Sequence, residues 1–189
     1  MSMVSQSPLN DVLIITPRRF GDHRGFFSES WNRKALESGG VYLPEFVQDN
    51  HSMSSEVGTV RGLHFQSPPH GQGKLVRCGR GTIFDAAVDV RKGSPSYGQW
   101  FGLELSYENG KQLWVPAGFL HGFMTLEPNS EIIYKCTDHY APECDGAVRW
   151  DSCGIDWPIE KISPVISEKD AVAQSFAEFD SPFTYEASA

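Results

Sequence analysis

Hydrophobic residues fall along this chain in short runs, several alternating with polar residues at a period of two, broken by glycine, proline and asparagine. That period puts successive side chains on opposite faces of an extended strand. It predicts strands at Leu13–Ile15, Phe26–Ser30, Glu45–Ser52, Thr59–Phe65, Lys74–Cys78, Thr82–Val90, Trp100–Leu105, Gln112–Val115, Phe119–Leu126 and Glu131–Cys136. Turns fall at Gly71-Gln72-Gly73, Gly93-Ser94-Pro95, Asn109-Gly110 and Pro116-Ala117-Gly118. A short helix is expected from Trp31 to Ser38, stopped by Gly39-Gly40. A second is expected after Ser167, with Glu168 and Asp170 in its first turn and Ala171 to Ala177 as its body. Strands so spaced, with polar turns, indicate an all-β antiparallel sandwich or barrel, best matched by a jelly roll with a few short peripheral helices. One domain over residues 1–189 is expected, with its core at about 12–160 and a C-terminal helical extension at about 161–189.

The alternation also sorts polar residues onto faces. Gln48, Asn50 and Ser52 share one side of their strand, and His121 shares a side with Phe119, Phe123 and Thr125. Asp85 and Asp89 share the face opposite Phe84, Ala86, Val88 and Val90. Strict alternation sets Arg61 and His64 on opposite faces, but Gly62 between them permits a bulge that turns both inward.

Charge and cysteine usage narrow the function. A net charge of −8 and a pI near 5.2 argue against a nucleic-acid partner, which needs a basic face. A few converging Arg and Lys can still hold a small anion. Cys78, Cys136, Cys144 and Cys153 form no Cys-x-x-Cys pair, so reduced thiols in a cytoplasmic protein are expected rather than a zinc site. The N-terminal residues have no basic region followed by an apolar stretch, and no apolar run approaches a membrane span. A soluble protein without a membrane partner is expected.

The candidate chemistry lies in Arg61-Gly62-Leu63-His64-Phe65-Gln66 with two distant partners, Tyr134 and Asp170. Taken singly, each has a plain structural reading: an exposed Arg61 or Lys74, a packed Tyr134, a helix-start Asp170, a hydrogen-bonded core His121. Together they offer an imidazole base, a carboxylate to orient it, a phenol, and an arginine for an anionic substrate. That set suits proton abstraction beside a carbonyl.

Many strings in order then resemble one family. They include Asp22-His23-Arg24-Gly25-Phe26-Phe27, Gln48-Asp49-Asn50-His51-Ser52, the Arg61 to Gln66 hexapeptide, Gly73-Lys74-Leu75-Val76-Arg77 and Gln112-Leu113-Trp114-Val115-Pro116. They continue with Gly118-Phe119-Leu120-His121-Gly122-Phe123, Tyr134-Lys135-Cys136-Thr137-Asp138, Gly154-Ile155-Asp156-Trp157-Pro158 and Ser167-Glu168-Lys169-Asp170. From about Leu13 to about Ala173 the chain resembles the dTDP-4-dehydrorhamnose 3,5-epimerases, cupin-type sugar-nucleotide isomerases. The resemblance implies His64 as general base, Asp170 as its carboxylate partner, Tyr134 as general acid and Lys74 as the cation at the keto oxygen. It implies Arg61 at the diphosphate, His121 as a second active-site histidine oriented by Asp85, and Arg24, Phe26, Glu29, Gln48, Asn50 and Tyr140 at the nucleotide. It further implies a homodimer in which the partner supplies the segment around Arg24 to Glu29, and a dTDP-4-keto-6-deoxy sugar as substrate.

The chain departs from the family pattern at His139, Met53 and Tyr97. Both C3 and C5 of such a substrate lie beside its C4 ketone, so no redox cofactor and no metal is expected. A metal-dependent cupin oxygenase would instead set two histidines one residue apart, and Leu63-His64-Phe65-Gln66 does not. A non-catalytic sugar-binding cupin is disfavoured by the intact His64, Tyr134 and Asp170. An epimerase inverting only C3 or only C5 stays open at this level.

Overall fold

The computed structural model describes residues 3–160 and 162–186. Its strands are β1 (Val4–Gln6), β2 (Leu13–Ile15), β3 (Arg19–Asp22), β4 (Gly25–Ser28), β5 (Gln48–Ser54), β6 (Thr59–Gln66), β7 (Lys74–Arg80) and β8 (Thr82–Asp89). They continue with β9 (Trp100–Ser106), β10 (Gln112–Val115), β11 (Phe119–Thr125), β12 (Ser130–Cys136), β13 (Asp145–Ala147) and β14 (Val165–Ile166). The α-helices are α1 (Arg33–Ser38) and α2 (Glu168–Ala171).

Two sheets face each other. One runs β1-β2-β10-β7-β12-β5; the other runs β13-β6-β11-β8-β9, with β14 added beside β6. β3 and β4 form a separate hairpin. The alternation predicted at the outset fills three apolar layers. Between the sheets lie Val76, Ile83, Leu105, Leu113, Phe119 and Ile132. The outer face of the β6-containing sheet buries Leu63, Val88, Leu120 and Met124 under Trp150, Phe179 and Phe183. The outer face of the other sheet buries Ile15, Leu75 and Trp114 under Leu36 of α1. α1 starts at Asn32, whose side chain accepts from the Ala35 N–H, and it ends at Gly39 as the sequence predicts.

Two expectations need correction. The expected strand at Glu45–Ser52 begins only at Gln48 and reaches Ser54, where it pairs fully with β12. The second helix does not continue to Ala177: α2 closes at Val172. Beyond it, the Arg149 N–H donates to the Gln174 carbonyl at 2.8 Å, and Phe176 and Phe179 turn onto the outer apolar layer. Sheet pairing and ring burial there outweigh the modest helix propensity of a short segment. The C-terminal region is a strap with one turn of α-helix, and of the extension expected at 161–189, residues 161 and 187–189 lie outside the described residues. β1, β3, β13 and β14 were not predicted; three are two or three residues long.

Candidate active site

The sandwich interior changes character along its strands. Ile132 of β12 packs in the inter-sheet core, and Tyr134, two residues on, reaches a cavity of about 480 Å³. Val76 of β7 is likewise buried in the core while Lys74 lines the cavity. The period of two therefore delivers apolar residues to one end and functional groups to the other. Arg61, His64, His121 and Asp170 complete the polar wall.

Arg61 and His64 share this cavity because β6 carries the expected bulge. Against β11, Arg61 pairs with Phe123 and His64 with His121, so two residues of β6 oppose one of β11. Gly62 has φ +127°, a conformation open only to glycine, and a Cβ there would lie 2.6 Å from Gly122 Cα. The Gly62 N–H also faces Asp170 Oδ2, at 3.5 Å.

His64 Nε2 lies 2.7 Å from Asp170 Oδ1, with the carboxylate buried and the imidazole about one-third exposed to the cavity. Asp170 arrives from the far end of the sequence. β14 pairs in parallel with β6, and α2 follows at once, capped by Ser167 Oγ accepting from the Asp170 N–H at 3.1 Å. A buried carboxylate on one imidazole nitrogen fixes the tautomer and the orientation of the ring.

Around this dyad the other groups are tuned by burial. Desolvation draws the Lys74 ammonium below the ordinary lysine range, an effect partly offset by the charges of Asp145 and Asp85. Desolvation likewise pushes the Tyr134 phenol upward, against the opposing influence of Asn50 and Arg61. Arg61 donates to Ser54 Oγ at 3.2 Å and to the Met53 carbonyl at 3.3 Å. Only the backbone of Met53 is used, and its side chain is exposed, so the departure at this position leaves the Arg61 anchor intact. Buried His121 Nε2 lies 2.9 Å from Asp85 Oδ1; the second oxygen of Asp85 has no hydrogen-bond partner among the described residues.

A second cavity of about 540 Å³ opens beside the first and shares His64, Lys74 and Tyr134 with it. Gln48, Asn50, Gln72 and Tyr140 line it. The pair has the capacity for a ligand larger than a sugar alone. Arg24, Phe26 and Glu29 line neither cavity. Arg24 pairs with Asp22 at 2.6 Å on the β3–β4 hairpin, Phe26 lies under the Arg19 guanidinium at 4.1 Å, and Glu29 accepts from Asn32 at 3.1 Å. Sequence reasoning missed Lys169, which lines both cavities and pairs with Asp145 at 2.5 Å. Its place beside Asp170 in the string Ser167 to Asp170 was the available signal. Arg61, Lys74 and Lys169 thus gather positive charge in a chain of net charge −8.

All four cysteines are buried and unpaired, and among the described residues no three His, Cys, Asp or Glu side chains converge as a metal site would require. A carboxylate-held imidazole, a phenol, a desolvated ammonium and an arginine can together remove a proton from carbon, hold the resulting oxyanion and return a proton.

Comparison with known proteins agrees with this chemistry. A family profile described as dTDP-4-dehydrorhamnose 3,5-epimerase matches residues 6–178. The dTDP-4-dehydrorhamnose 3,5-epimerase of Sinorhizobium fredii is 53% identical over 93% of this chain and 90% of its own length. The solved structure of a dTDP-6-deoxy-D-glucose-3,5-epimerase from Legionella pneumophila, in complex with dTDP-4-keto-L-rhamnose, superposes with a TM-score of 0.91 at 42% identity, covering 97% of this chain and 98% of that one. A 3'-monoepimerase from Streptomyces bikiniensis in complex with dTDP-quinovose superposes at 0.82 with 31% identity, over 91% of this chain and 88% of that one.

Proposed function

The chain belongs to the dTDP-4-dehydrorhamnose 3,5-epimerase family of isomerases, and from that premise we propose that it inverts C3 and C5 of dTDP-4-keto-6-deoxyglucose to give dTDP-4-keto-L-rhamnose for dTDP-rhamnose biosynthesis. The observation that carries the mechanism is the 2.7 Å contact between His64 and buried Asp170 in a cavity shared with Tyr134 and Lys74. His64 takes the proton from a carbon beside the C4 ketone, and the electron pair moves onto the ketone oxygen as an enolate. Asp170 stabilises the imidazolium so formed. Lys74, desolvated in the free site, gains a compensating charge when the enolate oxygen develops. Tyr134 gives its proton to the opposite face of the carbon, the enolate collapses to the ketone, and the configuration is inverted. The step repeats at the second carbon after both groups regain their starting protonation from solvent.

The ketone itself acidifies both positions, so the reading invokes no cofactor and no metal. Arg61 and Lys169 are assigned to the diphosphate, and His121, held by Asp85, to the sugar. The second cavity, with Gln48, Asn50 and Tyr140 on its wall, is assigned to the nucleotide. Arg24 and Phe26 lie on a hairpin outside both sheets that also exposes Phe20 and Phe27, and Glu29 follows its second strand. This supports their use in a homodimer, where the hairpin of one copy would complete the nucleotide site of the other. A cytoplasmic location is part of the same reading.

The test is proton NMR of the chelator-treated protein with dTDP-4-keto-6-deoxyglucose in deuterium oxide. Deuterium entering both C3 and C5, and lost in His64→Ala, is the expected result. Entry at one carbon only would replace the reading with a single-position epimerase, a class that shares this fold at 31% identity. No exchange without added metal would overturn the acid–base mechanism.

A further inference from the structure

Gln48 and Asn50 use their polar atoms within the protein, in an order that orients both amides. The backbone N–H of Tyr140 donates to Gln48 Oε1 at 3.0 Å, and a backbone N–H can only donate. That contact turns Gln48 Nε2 the other way, where it donates to Asn50 Oδ1 at 3.0 Å. Asn50 must therefore present its NH₂ to what lies beyond. One N–H reaches Cys136 Sγ at 3.5 Å, a weak acceptor. Beyond also lies Tyr134, the residue directly opposite Asn50 in the β5–β12 pairing and on the same cavity wall.

We propose that Gln48 and Asn50 form an amide relay that positions Tyr134 for proton delivery, with Asn50 Nδ2–H donating to the phenol oxygen and so leaving the phenol's own proton free to face the substrate. The relay rests on the reading of Tyr134 as the general acid. It gives Gln48 and Asn50 a role distinct from nucleotide contact. A donor on the phenol oxygen serves both ends of the step: the phenol cannot spend its proton on Asn50, and the phenolate left behind keeps a hydrogen bond. The effect of Asn50 on Tyr134 runs in that direction, since it favours the ionised phenol against the desolvation that opposes it. Because the relay begins at the Tyr140 backbone, it also ties the acid to the segment bearing the nucleotide-side aromatic.

The geometry makes an unusual demand on Gln48, which does not touch the phenol. Gln48→Glu keeps the acceptor for the Tyr140 N–H but has no N–H for Asn50 Oδ1. The Asn50 amide is then expected to turn its NH₂ toward the new carboxylate and its oxygen toward Tyr134. The phenol would donate to that oxygen, and its proton would be diverted from the substrate.

The experiment measures two rates on one sample in deuterium oxide: deuterium exchange with retained configuration, which needs the base but not the acid, and net inversion, which also needs the acid. Native protein, Asn50→Ala, Gln48→Glu and Tyr134→Phe are compared, with dTDP affinity measured by calorimetry. Inversion is expected to fall about 10- to 100-fold in Asn50→Ala and Gln48→Glu, the size of a hydrogen bond to a charged partner. At saturating substrate, exchange should stay within about threefold of native whatever the change in dTDP affinity, while Tyr134→Phe loses inversion by about 100-fold or more. Loss of dTDP affinity with native inversion at saturation would overturn the relay in favour of simple nucleotide contact. A parallel fall of exchange, inversion and melting temperature would overturn it in favour of a structural role. Native inversion in Tyr134→Phe would overturn the acid assignment itself, an outcome distinct from native inversion in the two amide variants alone, which overturns only the relay.

Discussion

Replacing Asp170 by asparagine tests the dyad with almost no change of shape. The carboxylate is buried, with Oδ1 at 2.7 Å from His64 Nε2 and Oδ2 facing the Gly62 N–H. The Gly62 donor requires an acceptor, so the asparagine oxygen should take the Oδ2 place and its NH₂ should face His64. An NH₂ on Nε2 makes that nitrogen an acceptor and moves the imidazole proton to Nδ1, the nitrogen without a partner among the described residues. The free nitrogen is then protonated and cannot serve as a base. Loss of the charge-assisted bond alone is worth about 1.5–3 kcal/mol, or about 10- to 150-fold in rate. The wrong tautomer adds to this, and an overall fall of about 10²- to 10⁴-fold in deuterium exchange is expected. The helix cap should survive, because Ser167 Oγ accepts from the backbone N–H of this residue rather than from its side chain. The assay is exchange at C3 and C5 by NMR, with dTDP affinity and the urea midpoint as controls. An exchange rate within tenfold of native, on a folded protein that binds dTDP normally, would refute the pairing of Asp170 with the base.

Other substitutions probe the support of the site. Gly62→Ala places a Cβ 2.6 Å from Gly122 Cα and 2.8 Å from the His121 carbonyl, at φ +127°, and should cost about 3 kcal/mol or more in urea unfolding; an unchanged midpoint would mean the bulge can relax. Lys74→Met should raise the urea midpoint near neutral pH while slowing epimerisation about 100-fold or more. Desolvation holds the native ammonium below its unfolded pKa, so the unfolded chain binds more protons and Lys74 weighs against folding until the pH approaches the ordinary lysine value of 10.5. A lowered midpoint would show that the attraction of Asp85 and Asp145 outweighs burial. Burial raises the thiols of Cys78, Cys136 and Cys153 from 9.0 to about 11. The folded state keeps three protons that the unfolded chain releases, so their contribution is complete below pH 9.0 and lost as pH rises through about 11. At about 1.4 kcal/mol per pH unit per thiol, over about two units, the loss reaches about 8 kcal/mol. Urea unfolding of the reduced protein across that range checks it, and a flat profile would contradict it.

Most of the sandwich was legible because an antiparallel strand with one face in the core must alternate, and the turns between such strands carry glycine or proline. The short strands were not legible: β14 contributes only Val165 and Ile166, whose pairing depends on β6 being there already. The helix body expected through Ala177 failed because Gln174, Phe176 and Phe179 find tertiary partners that outweigh propensity. The bulge was legible from one glycine between two polar residues. The dyad was read from residue types and from the resemblance rather than from spacing, since His64 and Asp170 are 106 positions apart. Arg24, Phe26 and Glu29 followed the same resemblance but lie away from both cavities of their own chain. Lys169 went unnoticed because a lysine in a helix's first turn reads as a solvated charge.

The position of Asp170 depends on β6, the same strand that holds His64. β14 is two residues long and α2 four, too short to be stable alone. What fixes them is the parallel pairing of β14 with β6, the packing of Ile166 on the outer apolar layer and the Asp170 contacts to His64 and Gly62; the strap that follows lays its Phe179 and Phe183 rings on Phe65 at 5.3 and 5.9 Å. Phe65 follows His64 on β6, so the alternation that turns the base into the cavity turns Phe65 outward onto the strap. Burying each such ring contributes about 1.5–3 kcal/mol, comparable to the cost of ordering one strap residue. Two neighbouring positions of β6 therefore supply the base on one face and a ring contact for the C-terminal strap on the other. Parting the two-residue β14 from β6 would separate Asp170 from His64 while leaving β6 paired with β11, which makes the dyad easier to lose than the fold that carries it.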